Sequence, residues 1–211
     1  MGDKNFQLDK PAIQNALTTL AKTDGHVKAA IDLVGYPDER KRPHGFATLL
    51  RVIVGQQLSV KAAASIAEHV EALMDNKPKP ELLMTFDDET LRGAGLSRQK
   101  IGYVRSLCEA VTNGPLDIMA LPDMSDEEAM KAITSVKGLG RWSAEMYMMF
   151  SLGRTDVWPV GDLAVRAGIG RIIELTERPN EKELDVIGER WRPYRSSMAL
   201  LAWHYYSNAP M

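Results

Sequence analysis

The stretch Val136-Lys-Gly-Leu-Gly-Arg-Trp-Ser-Ala144 places two glycines between two segments of helical character. Glycine at positions 138 and 140 permits positive φ and removes the Cβ atoms that would keep another molecule away from the backbone. At the start of a helix beginning at Arg141, such a turn presents backbone N–H groups and the positive end of the helix dipole to an anion. The stretch therefore predicts two helices joined by a phosphate-binding turn. The candidate contacts are Lys137, Gly138, Leu139, Gly140 and Arg141.

The rest of the chain has the same helical character. Apolar residues recur at helical spacing through most of the 211 residues, and alternating runs of β-branched residues are scarce. Ser125 with Glu128, and Asn180 with Glu183, fit capping boxes at helix starts. We therefore predict an all-α protein. A Gly-x-Gly pair alone also serves ordinary turns between helices, so the surrounding sequence has to decide its function.

The composition excludes several classes of protein. A hydrophobic content of 45% with a net charge of -2 is typical of a folded chain. The single cysteine, Cys108, cannot form an internal disulfide or supply the ligands of an iron–sulfur or structural zinc site, and it indicates a reducing compartment. No apolar run approaches the roughly 20 residues that cross a bilayer, and the N-terminus lacks a signal-peptide core. We expect an intracellular, cytoplasmic protein without membrane contact.

The near-neutral net charge hides a strong segregation of charges along the chain. Residues 91–107 contain four basic residues and no acidic one, whereas residues 109–128 contain six acidic residues and no basic one. Around the glycine turn, residues 136–171 hold five basic residues against three acidic ones. This distribution predicts a basic face that binds phosphates and an acidic face on the far side.

The glycine turn, followed 18 residues after Ala144 by Asp162 in Trp158-Pro-Val-Gly-Asp-Leu-Ala-Val-Arg166, resembles the helix-hairpin-helix DNA glycosylases. Within that family the chain most resembles the alkylation-repair branch, DNA-3-methyladenine glycosylase II. Three further segments agree, residues 51–59, 95–101 and 191–203. The resemblance spans about residues 45–206. It implies an all-α fold of two helical subdomains with the active-site cleft between them.

The same resemblance implies a division of the chain. The central helical bundle would cover residues 45–154 and end in the helix-hairpin-helix. The second subdomain would combine residues 1–44 with 155–211 and carry Asp162. The chain is too short for the extra N-terminal β-rich domain of the family's enteric prototype, so we expect none.

The implied activity is monofunctional excision of alkylated purines, such as 3-methyladenine and 7-methylguanine, from double-stranded DNA during base excision repair. Asp162 matches the catalytic aspartate, whose carboxylate stabilises positive charge that develops on the sugar. Asp156 falls outside the motif, so we assign it a structural role. Trp142 stands where family members that also cleave the backbone carry a lysine nucleophile, so no lyase activity is expected.

Aromatic side chains are the candidates for binding a positively charged base, because stacking a cation on indole is worth roughly 0.5 to 2 kcal/mol. The candidates are Trp142, Trp158 and Trp203, with Phe46 as a weaker one. Each of them has core packing as its alternative role. Met146 replaces the pocket tyrosine of the enteric prototype, and its thioether can also stack against a base.

The resemblance also assigns residues to the duplex and to an ion. Gln57 occupies the wedge position that fills the gap left by a flipped base, with Gln56 beside it; the alternative is that the two glutamines only cap a helix end. The family further suggests a monovalent cation at the backbone of Val136 and Gly138. We expect no other metal, no cofactor, and a monomer.

Two other functions stay open at this point. One is a non-catalytic helix-hairpin-helix protein that binds DNA damage. The other is a monofunctional glycosylase for oxidised, deaminated or mismatched bases. The combination of Asp162 with three candidate stacking tryptophans favours the excision of alkylated purines.

Overall fold

The computed structural model describes residues 6–210, apart from the side chain of Val60. Within that range the regular secondary structure is entirely helical, as the sequence predicts, with twelve α-helices, two short 3-10 helices and no strand. The α-helices are α1 Lys10–Ala21, α2 Gly25–Val34, α3 Phe46–Gly55, α4 Val60–Ala72, α5 Pro80–Leu83, α6 Asp88–Gly93, α7 Arg98–Thr112, α8 Asp126–Thr134, α9 Arg141–Phe150, α10 Leu163–Ile172, α11 Glu181–Gly188 and α12 Arg195–Asn208.

Both predicted capping boxes are present. The Glu128 backbone N–H donates to Ser125 Oγ at 3.2 Å, and the Ser125 N–H donates to Glu128 Oε2 at 2.9 Å. At the start of α11 the equivalent bonds between Glu183 and Asn180 are 3.1 and 2.8 Å. Each box satisfies two backbone donors that the first turn of a helix leaves without an intrahelical partner.

Helices α1, α2 and α5 were not predicted from the sequence, although two of them carry similar start signals. Asp9 caps α1 through a 2.9 Å bond to the Ala12 N–H, with Pro11 in the first turn. Asp24 caps α2 by accepting from the two N–H groups at 26 and 27. These caps lack the glutamate or glutamine that completes a capping box, so they are weaker sequence signals.

The chain divides into two compact units. The central unit is Arg42–Tyr147, and the discontinuous unit combines the residues up to Lys41 with those from Met148 onward. The division therefore falls inside α9 and not at residue 154, where the sequence suggested it. The last turn of α9 belongs with α12, since Phe150 packs on Trp203 with ring centroids 6.0 Å apart.

The central unit is built around α7, which contacts α3, α5 and α6. Its core consists of fully buried aliphatic side chains, among them Leu50, Ile53, Leu83, Leu91, Val104 and Leu107. Cys108 is also buried there, and burial raises the pKa of its thiol to about 12. This cysteine is a core residue without the thiolate character that reactivity requires.

The discontinuous unit is built around α12, whose residues from Arg195 to Trp203 are all buried. Its main partner is α10. A Cβ atom on Gly168 of α10 would lie 2.3 Å from the carbonyl oxygen of Ala202. The missing side chain therefore lets the two helices approach backbone to backbone. None of the helices in residues 6–210 combines the length and the apolar character that a membrane crossing needs.

Asp156 is part of an ion-pair network at the start of α12. Its Oδ1 accepts from Arg195 Nε at 2.8 Å, and its Oδ2 accepts from Arg195 Nη2 at 2.9 Å and from Arg192 Nη1 at 2.6 Å. The Arg195 guanidinium is largely buried. These contacts support the structural role that the sequence assigns to Asp156.

We expect Asp156→Ala to lower the free energy of unfolding by about 2 to 4 kcal/mol, because the buried Arg195 charge loses its closest carboxylate and keeps only the 3.4 Å contact to that of Glu189. The matched control is Asp38→Ala, which breaks the exposed Lys10–Asp38 pair and should cost much less, because water screens both charges. Urea unfolding followed by circular dichroism measures both losses. Equal losses in the two variants would contradict the structural role of Asp156.

Candidate functional site

The glycine turn between α8 and α9 is packed against α7. Gly138 has φ +98°, and a Cβ atom there would lie 2.3 Å from Cγ of Tyr103. Gly140 is different, since a Cβ atom on it would meet nothing within 4 Å. Gly138 is thus required by the protein's own packing, and Gly140 is the glycine that leaves the backbone open to another molecule.

The side chain of Leu139, predicted from the sequence as a candidate DNA contact, points into the protein. Its side chain is buried, and its N–H donates to the Val136 oxygen at 3.0 Å. Leu139 therefore anchors the turn in the core, and its side chain is not available to DNA. Lys137, Gly140 and Arg141 are exposed. They lie at or just before the N-terminus of α9, which is the positive end of the helix dipole.

Gln56 connects the end of α3 to the turn. Its Nε2 donates to the Gly138 oxygen at 2.7 Å. Gln57 is exposed and adopts a positive φ of 56°. The structure therefore separates the two glutamines, with Gln56 holding two loops together and Gln57 presented to solvent.

The backbone oxygens predicted to hold a monovalent cation have partners within the protein. The Val136 oxygen accepts from Leu139 N–H, and the Gly138 oxygen accepts from Gln56. A carbonyl oxygen has two lone pairs, so both retain the capacity to bind an ion, and the cation stays a prediction. Among the residues described, no cluster of three or more His, Cys, Asp or Glu side chains is arranged to hold a metal.

Two of the four basic residues in the run 91–107 are bound within the protein, so fewer of them can contact phosphates than the charge suggests. Lys100 Nζ donates to the Val54 oxygen at 2.6 Å, and burial lowers the pKa of this lysine. Arg105 is paired with Asp88 at 2.6 Å. In the described structure, Arg92 and Arg98 are the two residues of these four that are exposed and make no such contact within the protein. The charge count of the sequence thus overstates the cations available to phosphates here.

A cavity of about 580 Å³ lies in the central unit between residues of α3, α4 and α9. Trp142 and Met146, one turn apart on α9, both line it. Trp142 is 45% exposed, whereas Met146 is buried. The structure therefore brings two of the predicted base contacts to one cavity of the size that small ligands occupy.

Phe46 is not among the residues that line this cavity. It lies half-buried at the first position of α3. The neighbouring Gly45 N–H donates to Tyr147 Oη at 2.9 Å, and burial raises the pKa of Tyr147 to about 12. A neutral, hydrogen-bonded tyrosine thus fixes the entry into α3.

Asp162 is the N-cap of α10 in the discontinuous unit. Its Oδ1 accepts from the N–H groups of Ala164 and Val165 at 2.9 and 3.0 Å. The same oxygen accepts from Trp203 Nε1 at 3.0 Å. Three donors on one oxygen fix the direction of a half-buried carboxylate, which is the property that a catalytic acid or base needs.

Trp203 therefore has a contact that the sequence did not predict. Its side chain is 8% exposed, and the Arg40 guanidinium lies over its ring at 5.3 Å from the centroid. The close approach of α10 and α12 at Gly168 brings Trp203 to Asp162. Trp203 is a hydrogen-bond partner of the candidate catalytic carboxylate, and its ring face already carries a cation.

Trp158 is a core residue, contrary to the expectation of a stacking surface. It is buried, its Nε1 donates to the Leu184 oxygen at 3.0 Å, and it packs edge-on against Trp191 at 5.6 Å. Gly188 abuts the same indole. Because its N–H and its ring are both committed to the core, Trp158 offers no free face to a base.

Comparison with known proteins assigns the chain to a family. Residues 50–193 match the HhH-GPD superfamily of base excision DNA repair proteins. DNA-3-methyladenine glycosylase 1 of Schizosaccharomyces pombe is 32% identical over an alignment of 211 positions that covers 93% of this chain and 92% of that protein.

Solved structures agree with this assignment. The crystal structure of a DNA-3-methyladenine glycosidase from Bacillus halodurans has a TM-score of 0.84 and 37% identity, covering 96% of this chain and 92% of that one. The 3-methyladenine DNA glycosylase of S. pombe in complex with abasic DNA has a TM-score of 0.76 and 31% identity, covering 90% and 95%. This chain therefore belongs to the HhH-GPD superfamily of base excision DNA repair proteins.

Proposed function

We propose that this chain is a monofunctional DNA glycosylase of the 3-methyladenine glycosylase II type. It hydrolyses the N-glycosidic bond of alkylated purines, such as 3-methyladenine and 7-methylguanine, in double-stranded DNA. The names of its relatives, which share about a third of its sequence over nearly its whole length, support this lesion class. The enzyme acts as a monomer inside the cell, where its DNA substrate is.

The observation that carries the proposal is the fixed carboxylate of Asp162. Departure of the base leaves positive charge on the sugar, and a preorganised negative charge lowers the energy of that transition state. The bonds from Ala164, Val165 and Trp203 hold Asp162 in one orientation before DNA arrives. The carboxylate is then also able to orient the attacking water or accept its proton.

The leaving base needs little help from the protein. A purine methylated at N3 or N7 is positively charged in DNA, so it departs as a neutral base without a general acid. Trp142, an exposed indole beside the cavity, supplies the surface on which such a cation stacks. Met146 in the same cavity adds a polarisable thioether.

Trp142 also argues for hydrolysis without backbone cleavage. A lyase needs an amine that attacks the sugar carbon and forms a Schiff base. At position 142 this chain has an indole, which is no nucleophile. The reaction therefore stops at an abasic site.

The duplex is held from the turn and from the loop that follows α3. Lys137, Gly140 and Arg141 meet a phosphate at the start of α9. Arg141 is oriented by a 2.8 Å bond from its Nε to the buried carboxylate of Glu145. Gln57, exposed beside Gln56, enters the gap that the flipped base leaves.

Methylated duplex DNA tests the proposal directly. We expect the protein to release 3-methyladenine and 7-methylguanine, detected by chromatography, and to leave the strands intact until alkali or heat is applied. Borohydride should trap no covalent complex with DNA, because no Schiff base forms. Tight binding without release of any base would contradict the glycosylase, and nicking without alkali would contradict the monofunctional reaction.

A further inference from the structure

Arg51, on α3, lines the cavity that contains Trp142 and Met146. Its Nε donates to Glu71 Oε1 at 2.6 Å, and its Nη2 donates to Glu71 Oε2 at 2.7 Å. Both bonds use one edge of the planar guanidinium, and Glu71 is itself buried. The carboxylate therefore fixes both the plane and the direction of the Arg51 side chain.

The guanidinium has donors left for a ligand. Two of its five N–H groups are bound to Glu71, and the residues that the structure describes provide no acceptor for the other three. Two of these three, one on Nη1 and one on Nη2, form the end-on edge, and the third, on Nη1, points to the side opposite Glu71. Arginine has no acceptor atom and stays charged, so this edge stabilises only a ligand that presents an acceptor.

Alkylated purines differ at the atom that such an edge reads. Guanine and its 7-methyl derivative carry a carbonyl oxygen at C6, which accepts hydrogen bonds. Adenine and its 3-methyl derivative carry an amino group there, which donates. The Arg51 side chain is 56% exposed, so water satisfies its free donors until a base enters. A base that presents a donor displaces that water without replacing its hydrogen bonds, and that costs binding energy.

We infer that Arg51, held by Glu71, is a specificity-determining residue that selects flipped purines with an oxygen at C6 over those with an amino group there. The inference rests on the proposed function, because it takes this cavity as the place of the flipped base. The volume of about 580 Å³ is ample for one purine.

Two other polar side chains of the cavity, Thr48 and Glu68, do not offer a second fixed donor to the same acceptor. The Thr48 hydroxyl is used within the protein, where it donates to the Pro43 oxygen at 2.6 Å. Glu68 lines the cavity from α4 and is exposed. Its carboxylate is an acceptor for an amino group, so it favours the opposite class of purine once Arg51 is removed.

DNA treated with a methylating agent contains both lesions and provides an internal control. 3-Methyladenine and 7-methylguanine are both cationic in DNA, so changes in stacking, in DNA affinity or in the amount of folded enzyme affect their release alike. The two bases also differ at N1, at C2 and in the position of the methyl group, and these differences are the same for every variant. The change in the ratio of 7-methylguanine to 3-methyladenine released, when only Arg51 is substituted, therefore measures the contribution of Arg51.

We expect Arg51→Met to lower that ratio about tenfold relative to the wild type, which corresponds to about 1.4 kcal/mol of lost discrimination. Arg51→Lys lacks the end-on edge, so it should also lower the ratio. The factor should be smaller than for Arg51→Met, because the ammonium keeps the charge beside Glu71 and can still donate to an acceptor. If the methionine variant does not fold, as judged by circular dichroism, the lysine variant carries the test. Arg42→Met, at the second arginine of the cavity, should leave the ratio within about twofold of the wild type.

The outcomes separate this inference from the proposed function. A wild type that releases neither base contradicts the proposed function. A wild type that releases both, with an unchanged ratio in the folded Arg51 variants, overturns the role of Arg51 alone. An equal fall of the ratio in Arg42→Met also overturns it, because the selection would then follow the charge of the cavity and not the fixed guanidinium.

Discussion

Asp162→Asn should reduce the single-turnover rate of base release by about 100- to 10,000-fold, without a comparable loss of stability. Asparagine is nearly isosteric, and its carbonyl oxygen can still accept from Ala164, Val165 and Trp203. It is also as good an N-cap as aspartate. The substitution therefore removes the negative charge that the transition state needs and keeps the fold.

A duplex with one alkylated purine at a defined position gives the rate for Asp162→Asn, and thermal melting gives its stability. Trp203→Phe is the companion variant, because it keeps a smaller aromatic ring and removes the N–H that donates to Asp162. We expect it to lower the rate about tenfold, with little change in DNA affinity, since one hydrogen bond to a charged group is lost. A rate for Asp162→Asn above a tenth of the wild-type value would remove Asp162 from the mechanism.

Gly138→Ala should destabilise the central unit by about 3 to 5 kcal/mol, the sum of a strained positive φ and of overpacking against Tyr103. The new methyl group would fall within 2.6 Å of both Cβ and Cγ of Tyr103, atoms that a rotamer change at the end of the side chain cannot move away. The shift this forces would also strain the bond between Gln56 and the Gly138 oxygen. Chemical unfolding and DNA binding should therefore both suffer.

Gly140→Ala is the matched control for this glycine, since its Cβ would meet nothing within 4 Å. We expect its stability to stay within about 1 kcal/mol of the wild type, while its affinity for DNA falls if a phosphate approaches that backbone. Tyr103→Ala combined with Gly138→Ala should recover the part of the loss that comes from overpacking. Equal stability of the two single glycine variants would show that the packing against Tyr103 is unimportant.

Local features of this protein were predictable from the sequence because they depend on neighbours within one turn of a helix. The capping boxes at Ser125 and Asn180 and the cap at Asp162 join residues two or three positions apart. Helical periodicity likewise identified the all-α fold. The spacing of the glycine turn, Trp142 and Asp162 indicated the superfamily, which residues 50–193 confirm.

Arg51 was not identified from the sequence as a candidate site residue, because the contacts of its side chain are made with residues that are distant in the sequence. In the sequence it is one charge among apolar neighbours, and nothing marks Glu71, 20 positions later, as its buried partner. The signal that was available is that Arg51 is the single charged residue of α3. The cavity that Arg51 lines forms only when α3, α4 and α9 pack together.

The sequence by itself determined most of the helices, the hairpin, the candidate carboxylate and the family, because each depends on contacts between near neighbours or on a motif. The tertiary structure decided which of the similar residues are exposed. Trp158 is buried against Trp191, whereas Trp142 faces a cavity, and Asp156 neutralises Arg195, whereas Asp162 is held by Trp203. The solvent exposure of each side chain and its hydrogen-bond or ion-pair partner are set by residues that lie far apart along the chain. Composition and spacing therefore cannot distinguish one tryptophan or aspartate from another.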